Sequence, residues 1–331
     1  MFQEQATPTV GTAEPEFALP SRPTFLQNIW KFIRRKPLGA FGFVIIGIMI
    51  LMTAGFPTGH VGDLSLPDSP LGFELGRPWI SRYHAEDKFF TADGRLSSYE
   101  GPSAAHWLGT EKAGRDIYAR LVYGARRSLF VGLWALAVAT AVGTAIGVVS
   151  GYFRGWVDTA VQRVMDALQS FPPLVALILI ITINPLTSGP SLTMAAFALG
   201  LVGIPSVQRI TRGVVLATRE QQYVEAARVI GATDIRTMTY YILPNITASI
   251  IVVFSTGLGV VVLAEAALAF IVPQNVPQGP SWGLMLNEGR GVMLDHPGPA
   301  IASASFIALA VLGFNLAGDA LRDVLDPRLR L

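Results

Sequence analysis

The chain contains no cysteine, which removes disulfides, thiolate nucleophiles, Cys-ligated zinc and iron–sulfur clusters, and leaves the redox compartment unreadable. Charge is scarce too: 15% of its 331 residues are Asp, Glu, Lys or Arg, against about 25% in an ordinary soluble domain. A chain that poor in charge points to lipid instead of water. The formal net charge is +2 and the basic residues are scattered, so the one-faced basic stripe of a nucleic-acid binder is missing and no nucleic-acid partner is expected. There is no G-x4-GK-[ST] phosphate loop, no H-E-x-x-H and no G-x-S-x-G; ATP hydrolysis, zinc proteolysis and esterase chemistry by this chain have no support. His60, His84, His106 and His296 all fall in expected external segments with no pair at metal-ligand spacing, so neither a metal nor a cofactor is expected.

What the chain has in quantity is apolar sequence, at 51%. Residues 1–28 carry Pro8, Pro15, Pro20 and Pro23 among small and polar residues and are expected to be a disordered cytoplasmic tail. The first long apolar run begins only near Leu38 and no small-x-small cleavage site follows, which argues for a retained anchor over a secretory signal. From Leu38 to Phe56 no charge intervenes, giving a helix of roughly 28 Å, enough for a bilayer core. Uncharged stretches recur at about Leu129–Ser150, Ala167–Thr187, Ser191–Val207, Ile246–Val272 and Pro297–Gly318. The expectation is an all-α integral membrane protein with six transmembrane helices. Asn184, Pro185, Ser188, Gly189 and Pro190 supply a tight hairpin between the third and fourth.

Lys31, Arg34, Arg35 and Lys36 precede the first span; Arg154 and Arg163 lie between the second and third; Arg209, Arg212, Arg219, Arg228 and Arg236 lie between the fourth and fifth; Arg322, Arg328 and Arg330 follow the sixth. The positive-inside bias makes these regions, and both termini, cytoplasmic. The resulting map has an N-terminal segment with the first helix at 29–56, an external loop at 57–127, a five-helix core at 128–318 containing a cytoplasmic loop at 209–244, and a cytoplasmic tail at 319–331.

Within that cytoplasmic loop stand Glu225-Ala226-Ala227, then Gly231, Ala232 and Asp234, then Leu243-Pro244. Glu225 to Ile230 can form a helix, Gly231 permits the left-handed conformation that ends one, and Thr233 or Asp234 can cap another. Two short helices would then meet at an elbow, and Pro244 can start the fifth span where a missing amide hydrogen is harmless. The tripeptide alone is an ordinary helix end; Glu265-Ala266-Ala267 repeats it inside the fifth span, with Ile271 where the glycine would be.

The whole pattern resembles the EAA loop of binding-protein-dependent ABC importers, with Tyr241 where the generic pattern prefers isoleucine. The segments HWLGTEKAGRDIYARLVYGARRSLFVG at 106–132, GYFRGWVDTAVQRVMDALQSFPPL at 151–174, PSWGLML at 280–286 and FNLAGDALRDVLDPRLR at 314–330 are similar to the C-type permease of dipeptide, oligopeptide and nickel importers. The stretch from Ile271 to Asn275 departs from a Gly-Leu-rich turn. This resemblance implies a type I importer permease fold in a prokaryotic inner membrane and a solute path without enzyme activity. It further implies a homologous second permease, two ABC ATPase subunits docking on the elbow, and an extracytoplasmic solute-binding protein. Peptides lead as cargo, with nickel or oligosaccharides as alternatives.

Glu265 is an ionisable group inside an apolar run and a candidate for the pathway or gate. Arg322, Asp323, Asp326 and Arg328 can form an ion-paired clamp or a solvated tail, and Gly132, Gly143, Gly147 and Gly151 suit close helix packing. A stand-alone secondary transporter is the rival reading. It needs several buried ionisable residues along one path, and Glu265 is essentially the single candidate.

Overall fold

The computed structural model describes residues 36–57, 75–78, 80–183, 191–277 and 279–325, together with Arg34. The 1–28 tail, the hairpin at 184–190, His60, Asp326 and Arg328 lie outside the described residues. From Leu38 onward the chain forms one compact unit.

The first helix, α1 (Pro37–Thr53), has 17 residues, near the lower limit for crossing a hydrocarbon core. Its Ile45, Met49 and Met52 pack with Ile307, Ala310 and Phe314 of the last helix, α10 (Gly298–Leu325). The backbones approach closely there: a Cβ on Gly42 would lie 2.7 Å from Ala317 N. After α1 a short antiparallel ladder pairs β1 (Gly55–Pro57) with β2 (Leu75–Pro78).

Helix α2 (Ile117–Phe153) runs for 37 residues and starts twelve positions before the uncharged stretch that marks it in sequence. Asp116 caps it, its carboxylate accepting from Ala119 N at 2.7 Å. Charge counting misses the first turns because their arginines are buried against the rest of the fold. Arg120 pairs with Glu111 and, at 2.7 Å, with Glu288; Arg126 Nε donates to Thr53 O at 2.9 Å; Arg127 donates to Pro277 O at 3.0 Å.

The expected third span at Ala167–Thr187 overlaps only the end of α3 (Gly155–Gln169) and otherwise holds α4 (Pro173–Ile183), the two helices meeting at 85°. Pro173 restarts the helix at a position where a missing N–H costs nothing. Charged pairs tie α3 to α5 (Leu192–Arg219): Arg212 grips Asp158 through two bonds of 2.6 and 2.5 Å, and Arg209 reaches Asp166 at 2.6 Å. These pairs let α5 continue well past Val207, where the apolar run ends.

The remaining elements are α6 (Gln222–Val229), the three-residue α7 (Asp234–Arg236), a π-helical segment Thr237–Ile242, α8 (Leu243–Ile271), a 3₁₀ turn Pro273–Asn275, and α9 (Trp282–Arg290) ahead of α10. The stretch between the fifth and sixth uncharged runs, 273–296, holds α9. Ser281 caps α9 by accepting from Leu284 N at 3.3 Å, and Trp282, fully buried, donates its indole N–H to Leu121 O at 2.9 Å.

Among the described residues four helices are long and apolar enough to cross a membrane: α2, α5, α8 with the turn before it (Asp234–Ile271), and α10; the bent α3–α4 pair makes a fifth if it is one broken span. That is four spans, or five with the bent pair, against the six expected; α1, at 17 residues, is a shorter apolar helix. The slab of α2 and α5 is knitted by small residues. A Cβ on Gly143 would meet Val207 Cβ at 2.8 Å, one on Gly147 would meet Thr211 Cβ at 2.8 Å, and one on Gly151 would meet Val215 Cβ at 3.0 Å. Gly132 faces Val262 of α8 instead. In lipid, where apolar contact brings no gain over solvent, such backbone approach is what holds helices together.

Residues 80–116 fold as a cap over one end of this bundle, threaded by isolated bridges between Lys88 and Arg115, Phe90 and Leu96, and Thr110 and Asp116. His106, 6% exposed, bonds Asp116 through Nδ1 at 2.8 Å and packs on Tyr83 and Phe89. The Arg120–Glu288 pair fastens the cap and the start of α2 to α9.

Candidate functional site: an elbow between α6 and α7

At the opposite end of the bundle the chain leaves α5, turns at Glu220 and Gln221, and enters α6. Gln221 sits in an extended conformation before the first turn and Glu225 lies exposed within that turn, where a carboxylate complements the helix dipole. Val224 and Ala227 are the residues that α6 buries. Ile230 closes the helix and Gly231 follows at φ +85°.

Two hydrogen bonds define the stop. Gly231 N donates to Arg228 O at 2.9 Å and Ala232 N donates to Ala227 O at 3.0 Å, the paired pattern of a Schellman cap with glycine at its left-handed position. This explains the spacing: the Ala227 carbonyl is the acceptor that Ala232 must reach, so the glycine falls four positions after the alanine. Thr233 then starts the next turn, its Oγ1 accepting from Arg236 N at 3.4 Å. The backbone proceeds through α7 and the π-helical segment into α8 without a break, and Pro244 occupies the first turn of α8.

The outer surface of this elbow is apolar. Val229 is 81% exposed, Ile230 78%, Ile235 72% and Tyr240 76%, while a core of Val148, Tyr152, Val215, Val224, Ile242 and Ile246 roots it in the bundle. A stiff turn that points four large apolar side chains away from its own core offers a surface for another protein.

Glu265 lies far along α8 from this elbow, 7% exposed, with one carboxylate oxygen lacking a hydrogen-bond partner. With Arg127, Pro277 and Ser281 it lines a void of about 10 Å³. Near the cap, Glu86, Arg115, Arg120, Asn287 and Glu288 line a polar cleft of about 550 Å³. Among the described residues no three His, Asp or Glu side chains gather in a metal-holding group; His84 meets the Tyr123 hydroxyl at 3.1 Å and His296 stacks on Tyr99.

The described residues thus form a bundle of long apolar helices with the 80–116 segment at one end and a helical elbow closed by glycine at the other. The family model for the binding-protein-dependent transport system inner membrane component matches residues 143–331, and the chain belongs to that family. It is the permease component of an ABC importer of the peptide/nickel type, an inner-membrane protein with the type I permease fold. It is similar to the glutathione transport system permease protein GsiD of Pectobacterium atrosepticum, 39% identical over 252 residues that cover 76% of this chain and 81% of that protein. GsiD of Escherichia coli O6:K15:H31 and of Shigella sonnei are each 38% identical, covering 76% of this chain and 80% of theirs.

Proposed function

We propose that the chain moves short peptides, glutathione-sized molecules first among them, into the cell by alternating access driven by separate ATPase subunits. The observation that carries the coupling half of this reading is the elbow: a turn of fixed shape, set by the Gly231 cap, whose exposed Val229, Ile230, Ile235 and Tyr240 suit an apolar cleft on an ATPase. The peptide half is supported by the name of the GsiD relatives. Glu225, Ala226, Ala227, Gly231, Ala232, Asp234, Leu243 and Pro244 form the coupling loop in this proposal. The chain hydrolyses no ATP itself and pairs with a homologous second permease over two ATPases. An external binding protein delivers cargo to the face that carries the 80–116 cap. All six apolar segments cross the membrane and both termini lie in the cytoplasm.

ATP-driven closure of the ATPases swings the elbow, and with it α5 and α8, between inward-open and outward-open states. The test is to purify the tagged chain gently from its own membrane, identify what accompanies it by mass spectrometry, and repeat this with Gly231→Pro. A second permease and ATPases should co-purify, with the ATPases lost in the variant, and the reconstituted complex should take up labelled glutathione or a dipeptide on ATP addition. Recovery of the chain alone, with uptake intact in the variant, would hand the case to a stand-alone transporter.

A further inference from the structure

Three segments converge on one side chain at the cytoplasmic end of α2. Tyr152, 4% exposed, donates its hydroxyl hydrogen to Asp234 Oδ1 at 2.6 Å. The guanidinium of Arg228 lies 5.0 Å from its ring centroid and that of Arg219 lies 5.5 Å away; Arg219 also donates to the Tyr152 carbonyl. Asp234 follows the Gly231 turn, Arg228 precedes it, and Arg219 ends α5. Both arms of the elbow and the helix that feeds it are thus fastened to a single tyrosine of a fourth segment. The Nε groups of Arg219 and Arg228 are buried without hydrogen-bond partners, so ring contact is a principal reason for both to stay there. Hydrogen bonding of the phenol to a carboxylate also enriches the ring in electron density and strengthens that contact.

The opposite end of α2 is pinned as well. Arg120 holds Glu288 of α9, Arg127 holds the Pro277 carbonyl, and Arg126 holds the Thr53 carbonyl of α1. At about 1.5 Å per residue this helix reaches roughly 55 Å, long enough to join the two faces of the membrane. Packed cores shift between discrete arrangements and do not deform continuously.

We propose that Tyr152 is a positioning residue for coupling: it locks the elbow to α2, and α2 carries elbow movement directly to Pro277, α9 and the cap. This rests on the reading of the elbow as the ATPase contact, and it adds a strut to the α5 and α8 levers. Because the chain has no cysteine, spin labels can be placed at will. The pair Phe90→Cys and Ile271→Cys uses exposed sites on the cap and at the outer end of α8.

In the co-purified complex, ATP with vanadate should change the distance between these labels. A hydroxyl–carboxylate hydrogen bond is worth about tenfold or more in an equilibrium. Tyr152→Phe should therefore remove most of that change while ATPase co-purification and hydrolysis stay within about twofold, and Asp234→Asn should weaken it in the same direction. A full-sized change in both variants overturns the proposal, as does the absence of any change in the parent chain. Loss of the ATPases from the Tyr152→Phe complex also overturns it, since the tyrosine then shapes the docking surface only. Absence of the ATPases from the parent complex sinks the coupling reading itself.

Discussion

Gly231 permits a clean measurement of what the elbow's shape contributes, because a Cβ added there would meet no atom within 4 Å. A substitution consequently carries no steric clash, and its cost comes from the backbone alone. Holding an L-residue in the left-handed region at φ +85° costs about 1–2 kcal/mol, and such an energy changes a two-state population about 5- to 30-fold. Gly231→Ala should retain the fold, because the elbow is exposed and the strain can relax by unwinding the end of α6. Capture of the ATPases at limiting concentration should fall by that factor. Gly231→Asn should fall less, since asparagine tolerates the left-handed region through its own backbone hydrogen bonds, and Gly231→Val should fall most because of its branched Cβ. The assay is pull-down of ATPase against concentration, with thermal melting of each variant in detergent alongside. Equal capture by all four proteins would refute the reasoning. So would melting losses that track the capture losses, since the defect would then be global.

Three further substitutions, one of them paired with a control, probe the scaffold. Thr233→Ala removes the oxygen that accepts from Arg236 N and should cost about 1 kcal/mol at the start of α7, read as a few-fold loss of ATPase capture with an unchanged melting temperature. Trp282→Phe deletes the indole donor to Leu121 O in a fully buried site; the lost bond and the cavity together should cost about 2–3 kcal/mol, measured as a lower melting temperature. Gly147→Leu drives a side chain into Thr211 and the Gln208 carbonyl, which lie 2.8 and 2.9 Å from where its Cβ would sit. It should cost about 1–3 kcal/mol and shorten the lifetime of the purified permease, whereas Gly213→Leu on the open side of α5, where an added Cβ meets nothing, should be nearly silent.

The elbow is legible in sequence because its chemistry is local. A glycine at the left-handed position, an alanine carbonyl at the right distance before it, and a threonine cap after it lie within ten residues and depend on no distant partner. The structure adds the reason for the spacing in the Ala232-to-Ala227 bond. Tyr152 escapes a sequence reading, because its partners Arg219, Arg228 and Asp234 lie 67 to 82 positions away and a tyrosine at a helix end advertises nothing alone. The apolar runs likewise locate the helix centres. They misplace the ends wherever charge continues the helix, as in α5 beyond Val207 and in α2 before Leu129.

Those misplaced ends follow one physical rule. An arginine in a span is costly to a reader who counts transfer energies, but the cost is removed when the fold supplies a partner. Glu111 and Glu288 do so for Arg120, the Pro277 carbonyl for Arg127, the Thr53 carbonyl for Arg126, and Asp158 for Arg212. All of these partners but Glu111, which stands nine positions before Arg120, lie 54 or more positions away and escape a window of sequence, and each contact also fastens the end of a long helix to a neighbour. The charges that obscure the helix boundaries are therefore the groups that fix where the helices end in space. Packing of small residues governs the middle of the bundle, and ion pairs and arginine–carbonyl hydrogen bonds govern its rims.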